Sequence, residues 1–490
     1  MISIRLILGL MLPLLLGYSL LSILFRSKDD LFPFERLAYA WGLGAGALAV
    51  EMFLMTKLGI KYSILAIGLP NFIIIATTIS YAVHKKTVFF DYKGLAAFIE
   101  NALLKSPSGK RDFRFWAEKG LLAGISAKLF YVFFETLIKP VVGWDAFARW
   151  SFAAQIFYFE KGIPPFFLQI SGASGHPNNL LSPLLQAWLY FAIGQWNEIA
   201  SKIIFPIFFA ALLIIFYFAA RRISDRFGSI LFAFFLSSLP FLTYHAAVEY
   251  SDMLVSFYAF AGASMLLLFF KKLEPRFLTA SVLAFLLGYF SKNEGALYLL
   301  AAYIVLNFFV LVDKNATIKF GKRRLLTLVA LSALAMTVLI AALVLLNDRS
   351  GSGIESGVGG GLFIERIPTI AVIFSTKMFL SGNWQLAWVA FIIALLAFIL
   401  NGERRASSYL LGIALLDLSL LAVYYLTTTE GLYQHLLIGT VLCRNLLQFT
   451  PIILLFTALQ LKMVLTEGEN NKPDRSVVPR KVKSKPPLRP

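Results

Sequence analysis

The sequence predicts an all-α, polytopic transmembrane protein of about 13 helical spans, with amphipathic juxtamembrane helices in its outer loops. Three observations carry this. Of 490 residues, 59% are hydrophobic and the mean hydropathy is +0.75, far outside the soluble range. Apolar runs near the ~20 residues needed to cross a bilayer recur along almost the whole chain. Basic residues gather in a few connectors, as the positive-inside rule expects.

The first apolar run, residues 6–25, is too long for a cleaved signal peptide and lacks a small-x-small cleavage site, so it reads as a retained helix. The basic connectors are 84–119, 221–226, 271–276, 314–324, 403–405 and the tail after Lys472, and all are assigned to the cytoplasm. Helices then fall at 2–26, 37–56, 62–83, 120–139, 200–220, 229–247, 253–270, 277–291, 296–312, 325–346, 384–400, 407–427 and 446–465, with the N-terminus outside and the C-terminus inside. The chain divides into N-terminal transmembrane helices (1–139), a large outer loop with interfacial helices (140–199), central helices (200–346), an outer glycine-rich loop with an interfacial helix (347–383), C-terminal helices (384–466) and a disordered basic cytoplasmic tail (467–490). This layout leaves no length for a folded soluble domain.

Forty-five Lys and Arg against 27 Asp and Glu give a net charge of +18. In a soluble chain that excess suggests nucleic acid. Here the excess lies in membrane-flanking loops, which removes nucleic acid as a partner and leaves the lipid bilayer. The single cysteine, Cys443, excludes an internal disulfide and a multi-cysteine metal site. The sequon Asn315-Ala316-Thr317 falls on the cytoplasmic side and carries no meaning there.

The outer loops have their own anatomy. Residues 147–158 are aromatic on one side, with Arg149 and Gln155 interspersed, which suits a helix in the headgroup plane. Residues 367–380 read as a second such helix. Residues 180–194, only about 15 long and holding Pro183, read as re-entrant or interfacial. The stretch GSGIESGVGGG (351–361) is a mobile connector or a phosphate cradle, and it has no Lys-Ser/Thr pair to make it a P-loop.

Charges beside a bilayer are costly unless they pair, face water or do work. Four sets of them lie at apolar-segment ends, all on the outer face of this layout: Asp145 and Arg149, Glu249 and Asp252, Lys292 and Glu294, and Glu430, His435 and Arg444. Asp145, where the chain leaves the fourth helix, can act as a general base or as an interfacial cap. Glu249 and Asp252, three apart, share one face on a helix end and could hold sugar hydroxyls or a metal; the other reading is N-capping by Ser251 or Asp252. Lys292 and Glu294 form a local ion pair, or Lys292 meets a lipid phosphate. Arg444, in an apolar stretch just before the last helix, calls for a phosphate or carboxylate partner. His176, before Pro177, is a loop residue or a functional one. His435 and Glu430 are companions with no derivable role.

As a whole the pattern resembles the GT-C membrane glycosyltransferases, especially the bacterial relatives of protein O-mannosyltransferases and aminoarabinose transferases. The resemblance runs from about Lys139 to Leu465. It rests on Trp144-Asp145 after an early helix, HPNNLLSPLLQAWLYFAIG, Pro240 followed by EYSD, KNEG at 292–295, and YYLTTT…YQHLL…CRNLLQFTP. It implies transfer of a sugar from a polyprenyl-phosphate donor to a hydroxyl of a glycan, lipid or protein acceptor, with inversion, on the extracytoplasmic face of a bacterial cytoplasmic membrane. By the same resemblance Asp145 is the base, His176 stands beside the donor, Asp252 orders the site, and Lys292 and Arg444 meet the donor phosphate. The chain departs from the family at Ala146, where many relatives carry Glu; that is one carboxylate fewer and leaves divalent-metal binding open. Three helices also precede the usual start.

The rival readings are a transporter or flippase of lipid-linked saccharides, which needs polar groups at the bilayer midplane, a polymerase or ligase using the same donors, and a non-catalytic scaffold. The charges picked out in the sequence lie at helix ends.

Overall fold

Lipid offers no partner to a backbone N–H or C=O, so apolar runs of this length satisfy themselves as helices. The computed structural model describes residues 2–27, 30–85, 94–96, 100, 113–167, 179–324, 326, 327, 330, 361–401 and 404–470, and these form helices with no β-strand among them. The elements are α1 (Ile2–Leu24), α2 (Pro33–Lys57), α3 (Ile64–His84), α4 (Phe113–Ile138), a π-helical turn (Ala146–Trp150) running into α5 (Ser151–Phe159), and α6 (Leu181–Ile193). Then come α7 (Ile204–Arg221), α8 (Arg226–Ser237), α9 (Pro240–Ala247), α10 (Ser251–Lys272), α11 (Pro275–Ser291) and α12 (Gly295–Val312). The last part holds α13 (Ile367–Phe379), α14 (Ala387–Asn401), α15 (Arg404–Thr427), α16 (Glu430–Ile438) and α17 (Thr440–Asn470).

Among the described residues nine helices are long and apolar enough to cross a membrane, so the protein is an integral membrane protein. The sequence pattern predicted about thirteen. Of the others, α11 and α14 are shorter apolar helices, and 325–346 falls almost wholly outside the described residues. The span predicted at 229–247 is broken: α8 and α9 meet at 66°. Pro240 opens α9, lacks an N–H and disfavours helical backbone at Leu239, which is extended at φ −65°, ψ 119°.

The centre of the bundle is α10. Every side chain from Ser251 to Phe270 is buried, because α2, α7, α11, α12, α15 and α17 surround it. Segment 180–194 is not laid on the surface. As α6 it is buried along 12 of its 13 residues, packed on α1, α2 and α5, with Trp188 Nε1 donating to the Gly9 carbonyl at 2.8 Å. Arg5 donates to the Ile193 carbonyl at 3.1 Å and so satisfies an end group of that helix. The aromatic helix expected at 147–158 is the π-turn and α5, with Phe147, Phe152 and Phe159 exposed. α13 leaves all but Ile370 uncovered or partly covered, as an interfacial helix would. His176 and 351–360 lie outside the described residues, as does the tail from 471.

The two ends of the bundle differ. Where α2 and α11 begin and α7 and α10 finish, arginines pair and cap. Arg222 grips Glu35 with both nitrogens at 2.5 and 2.6 Å, Arg276 meets Asp30 at 2.5 Å, and Arg226 meets Glu118 at 3.1 Å. Arg36 donates to the Phe25 and Ser27 carbonyls at 3.2 and 2.8 Å. The opposite end, where α10 and α17 begin and α11 finishes, gathers most of the sequence-predicted site residues. Mid-helix charge was not expected, yet Asp417 sits inside α15 at 2% exposure, and neither carboxylate oxygen has a hydrogen-bond partner among the described residues.

Close helix crossing needs glycine at α1–α2. A Cβ on Gly17 would stand 1.8 Å from the Ala40 carbonyl oxygen, and one on Gly44 would stand 1.7 Å from that of Pro13. Gly44→Leu should therefore separate the two helices and cost about 1–3 kcal/mol or more. Thermal unfolding and size-exclusion elution of the detergent-purified variant check this, with Gly68→Leu, which meets nothing within 4 Å, as the neutral comparison.

Candidate active site

The site is built on three helix ends and one loop. After α4 the chain turns through Lys139-Pro140, and Lys202 Nζ, buried at 1% exposure, donates to the carbonyls of both residues. The same ammonium lies 3.3 Å from Glu249 Oε1, an ion pair without the alignment of a full hydrogen bond. Lys202 thus ties the loop carrying Asp145 to the loop leading into α10. Gly143 lets the first of these approach closely, since a Cβ there would fall 2.6 Å from the Tyr250 ring. Phe147 N donates to the Gly143 carbonyl at 2.8 Å and starts the π-turn with Asp145 at its N-terminal edge.

Asp252, in the first turn of α10, has no exposed side-chain surface and uses both oxygens. Oδ1 accepts from Lys292 Nζ at 2.9 Å and from Gln448 Nε2 at 2.7 Å. Oδ2 accepts from Arg444 Nε at 2.9 Å and lies 2.8 Å from Arg444 Nη2. The remaining guanidinium nitrogen, Nη1, donates to Asp145 Oδ2. Arg444 lies over the Tyr250 ring, 4.8 Å from its centroid, a cation–π contact. Lys292 also meets Glu294 Oε1 at 2.8 Å.

A second layer steadies this core. Tyr298 donates to Gln448 Oε1 at 2.7 Å and Asn445 Nδ2 donates to Tyr425 Oη at 3.3 Å, so polar groups on α12, α15 and α17 extend the network into the bundle. Lys292 caps the end of α11, and the KNEG turn closes with Gly295 N donating to its carbonyl at 2.9 Å. Only glycine fits at 295, because a Cβ would sit 2.4 Å from the backbone of Gly288 and Tyr289.

The structure therefore brings together Asp145, Asp252, Lys292, Glu294 and Arg444. It separates the others. Glu249 and Asp252 do not form a carboxylate pair: Glu249 precedes the helix and turns to Lys202, while Asp252 turns inward. Neither Ser251 nor Asp252 caps α10; the cap position is Tyr250, without a side-chain cap bond. Arg444 is not in a loop before the last helix but inside α17, because Gly439 at φ +80° ends α16 and the new helix starts at once. Arg149 is half-buried in the π-turn outside this cluster, and His435 is exposed on α16. Glu430 pairs with Arg366 at 2.9 Å, whose guanidinium lies between the rings of Phe363 and Tyr433 at 4.0 and 4.1 Å. Among the described residues no group of three or more His, Cys, Asp or Glu side chains could hold a metal ion.

Gln448, Tyr298, Tyr250 and Lys202 went unnoticed in the sequence. Gln448 alone left a signal: it stands four residues after Arg444 and so shares its helix face in an otherwise apolar run. His245 was also missed. Its ring is buried against Phe241 and Tyr250, with Nδ1 3.1 Å from the Phe241 carbonyl oxygen and Nε2 without a partner among the described residues.

No family model, curated protein or solved structure matches the chain. The site is therefore read from its own geometry. Lys292 and Arg444 are fixed cations that retain 9% and 17% side-chain exposure, and Asp145 and Glu294 are the carboxylates with open surface, at 22% and 26%. Fixed cations of this kind can stabilise an anion, and an accessible carboxylate beside them can take a proton.

Two outcomes follow. Asp252→Ala removes the buried partner shared by two cations, leaving them only the partly exposed Glu294 and Asp145, and should cost about 3–5 kcal/mol, whereas Asp145→Ala at the open edge should cost far less; chemical or thermal unfolding of the purified variants separates them. Burial pushes the Glu249 carboxyl up from its ordinary 4.5 to about 7, with Lys202 opposing the shift. The folded state then holds a proton that the unfolded state releases. Glu249 thus supports stability at low pH, and that support is lost as pH rises from about 4.5 to about 7. Melting temperature against pH should show this fall in the wild type relative to Glu249→Gln.

Proposed function

We propose that the protein is a GT-C-type membrane glycosyltransferase, moving a sugar from a polyprenyl-phosphate donor to an acceptor hydroxyl on the extracytoplasmic face. One observation carries the reading: Arg444 bridges an exposed carboxylate, Asp145, and a buried one, Asp252, while Lys292 holds the other oxygen of Asp252. A base and two fixed cations thus stand within one cluster at the end of the bundle.

In this reading Asp145 accepts the proton of the acceptor hydroxyl, whose oxygen attacks the anomeric carbon in line. The bond from that carbon to the phosphate oxygen breaks, and its electron pair leaves with the lipid phosphate. Arg444 and Lys292 stabilise the charge that develops there. Asp252 touches no substrate and positions both cations. The donor's lipid explains a site at helix ends, where the tail stays in the bilayer and the sugar reaches water. The arginine-rich opposite end supports this sidedness, since the positive-inside rule turns such ends to the cytoplasm. The cell envelope of a bacterium is the setting that the sequence resemblance implies.

The transporter reading draws on a different observation, Asp417 buried within α15 with no hydrogen-bond partner among the described residues, since intramembrane carboxylates often mark ion or substrate paths. It leaves the Arg444 cluster unexplained.

With radiolabelled sugar on a panel of polyprenyl-phosphate donors and mixed membrane acceptors, the wild type should transfer label. Asp145→Asn should lose about 10²–10⁴-fold of the rate, and Asp417→Asn should keep it. Wild-type protein that turns over no donor, or an active Asp145→Asn, overturns the assignment.

A further inference from the structure

We infer that the Asp145–Arg444 contact is a substrate-operated gate, in which the donor phosphate takes the place of Asp145 on Arg444 and thereby frees Asp145 to act as the base. The inference rests on the glycosyl-transfer reading and adds an order of events to it.

The geometry divides the guanidinium between two partners of unequal standing. Nε and Nη2 face Asp252, which is fully buried and held by Lys292 and Gln448 as well. That partner cannot leave without taking from two cations the buried carboxylate they share. Nη1 faces Asp145, which is 22% exposed and stands at the N-terminal edge of the π-turn, just after the 140–143 loop. Asp145 is the exchangeable partner.

Charge points the same way. Asp145, Asp252 and Glu294 set three carboxylates against the two cations Lys292 and Arg444. A phosphodiester brought to Arg444 adds another negative charge, and like charges at this range repel. Moving Asp145 off Nη1 relieves that repulsion and gives the phosphate a charge-assisted donor in return. While Asp145 stays on Arg444, Oδ2 is engaged and the carboxylate is held facing the guanidinium. Once the phosphate is seated, the carboxylate is open and lies beside the donor.

The cycle then balances. The acceptor proton passes to Asp145, the acceptor oxygen bonds to the anomeric carbon, and the lipid phosphate leaves carrying the electron pair of the broken bond. Protonated Asp145 no longer competes for Arg444, which keeps the product phosphate. Loss of that proton to water returns the carboxylate to Nη1 and helps expel the product.

The consequence is that removing the base should tighten donor binding. Purified full-length wild type, Asp145→Asn and Asp145→Ala are titrated with a short polyprenyl monophosphate, and with the matching polyprenol as control. Both variants should bind the phosphate about tenfold more tightly than the wild type, bind the polyprenol equally, and transfer sugar about 10²–10⁴-fold more slowly. Equal or weaker phosphate binding in both variants overturns the gate and leaves the transfer reading standing. Phosphate bound no better than polyprenol by all three proteins overturns the gate and the phosphate-donor reading together.

Discussion

Asp252 is a carboxylate with no solvent exposure at the start of the most deeply buried helix, and four polar contacts from Lys292, Gln448 and Arg444 converge on it. Burying a charge in a bilayer-embedded bundle is tolerable only when it is paired and hydrogen-bonded. That requirement fixes more than one side chain. It sets the level of α17 against α10, because Arg444 and Gln448 both reach the same carboxylate one turn apart. It also sets where α11 must end, because Lys292 has to leave the helix there.

Other features of that end follow from holding this centre in place. The KNEG turn folds back tightly enough that only glycine fits at 295, so Lys292 and Glu294 are presented together while α12 returns beside α11. The break at Pro240 shortens the α8–α9 segment and brings His245 and the Tyr250 loop over the cluster. Lys202 and Glu249 do for the loops what Asp252 does for the helices: they join two backbone stretches through one buried ion pair. The result is a rigid interior anchor with a more accessible carboxylate, Asp145, at its margin. That asymmetry is what gives Asp145 a chemical role distinct from that of Asp252.

Much of this was legible in the sequence. Length and apolarity gave the helices because each must cross or fill a layer of fixed thickness. Charges at apolar-segment ends gave Asp145, Asp252, Lys292, Glu294 and Arg444, because unpaired charges there are expensive. The same logic singled out Glu249 and His435, which lie outside the Arg444 cluster. Spacing three residues apart puts Glu249 and Asp252 on one face only if both are helical, and α10 begins between them. Gln448 and Tyr298 were hidden because a neutral polar residue within an apolar helix costs little and leaves a weak signal. Asp417 was overlooked for another reason: attention to helix ends passes over a single acid in mid-helix.

By itself, then, the sequence determined a helical membrane body with its charges sorted to two ends, since hydropathy and charge are local properties that act against the bilayer as a fixed external frame. Which charges pair was decided only by the tertiary structure. Residues 145, 252, 292 and 444 are separated by up to 299 positions, and their meeting depends on how the helices cross. Those crossings are set by close contacts such as Gly17 against Ala40 and by the turn at Gly295, whose geometry no local pattern specifies. The choice of Asp252 as buried anchor and Asp145 as open edge lies in that packing, because exposure belongs to the assembled bundle and not to either residue.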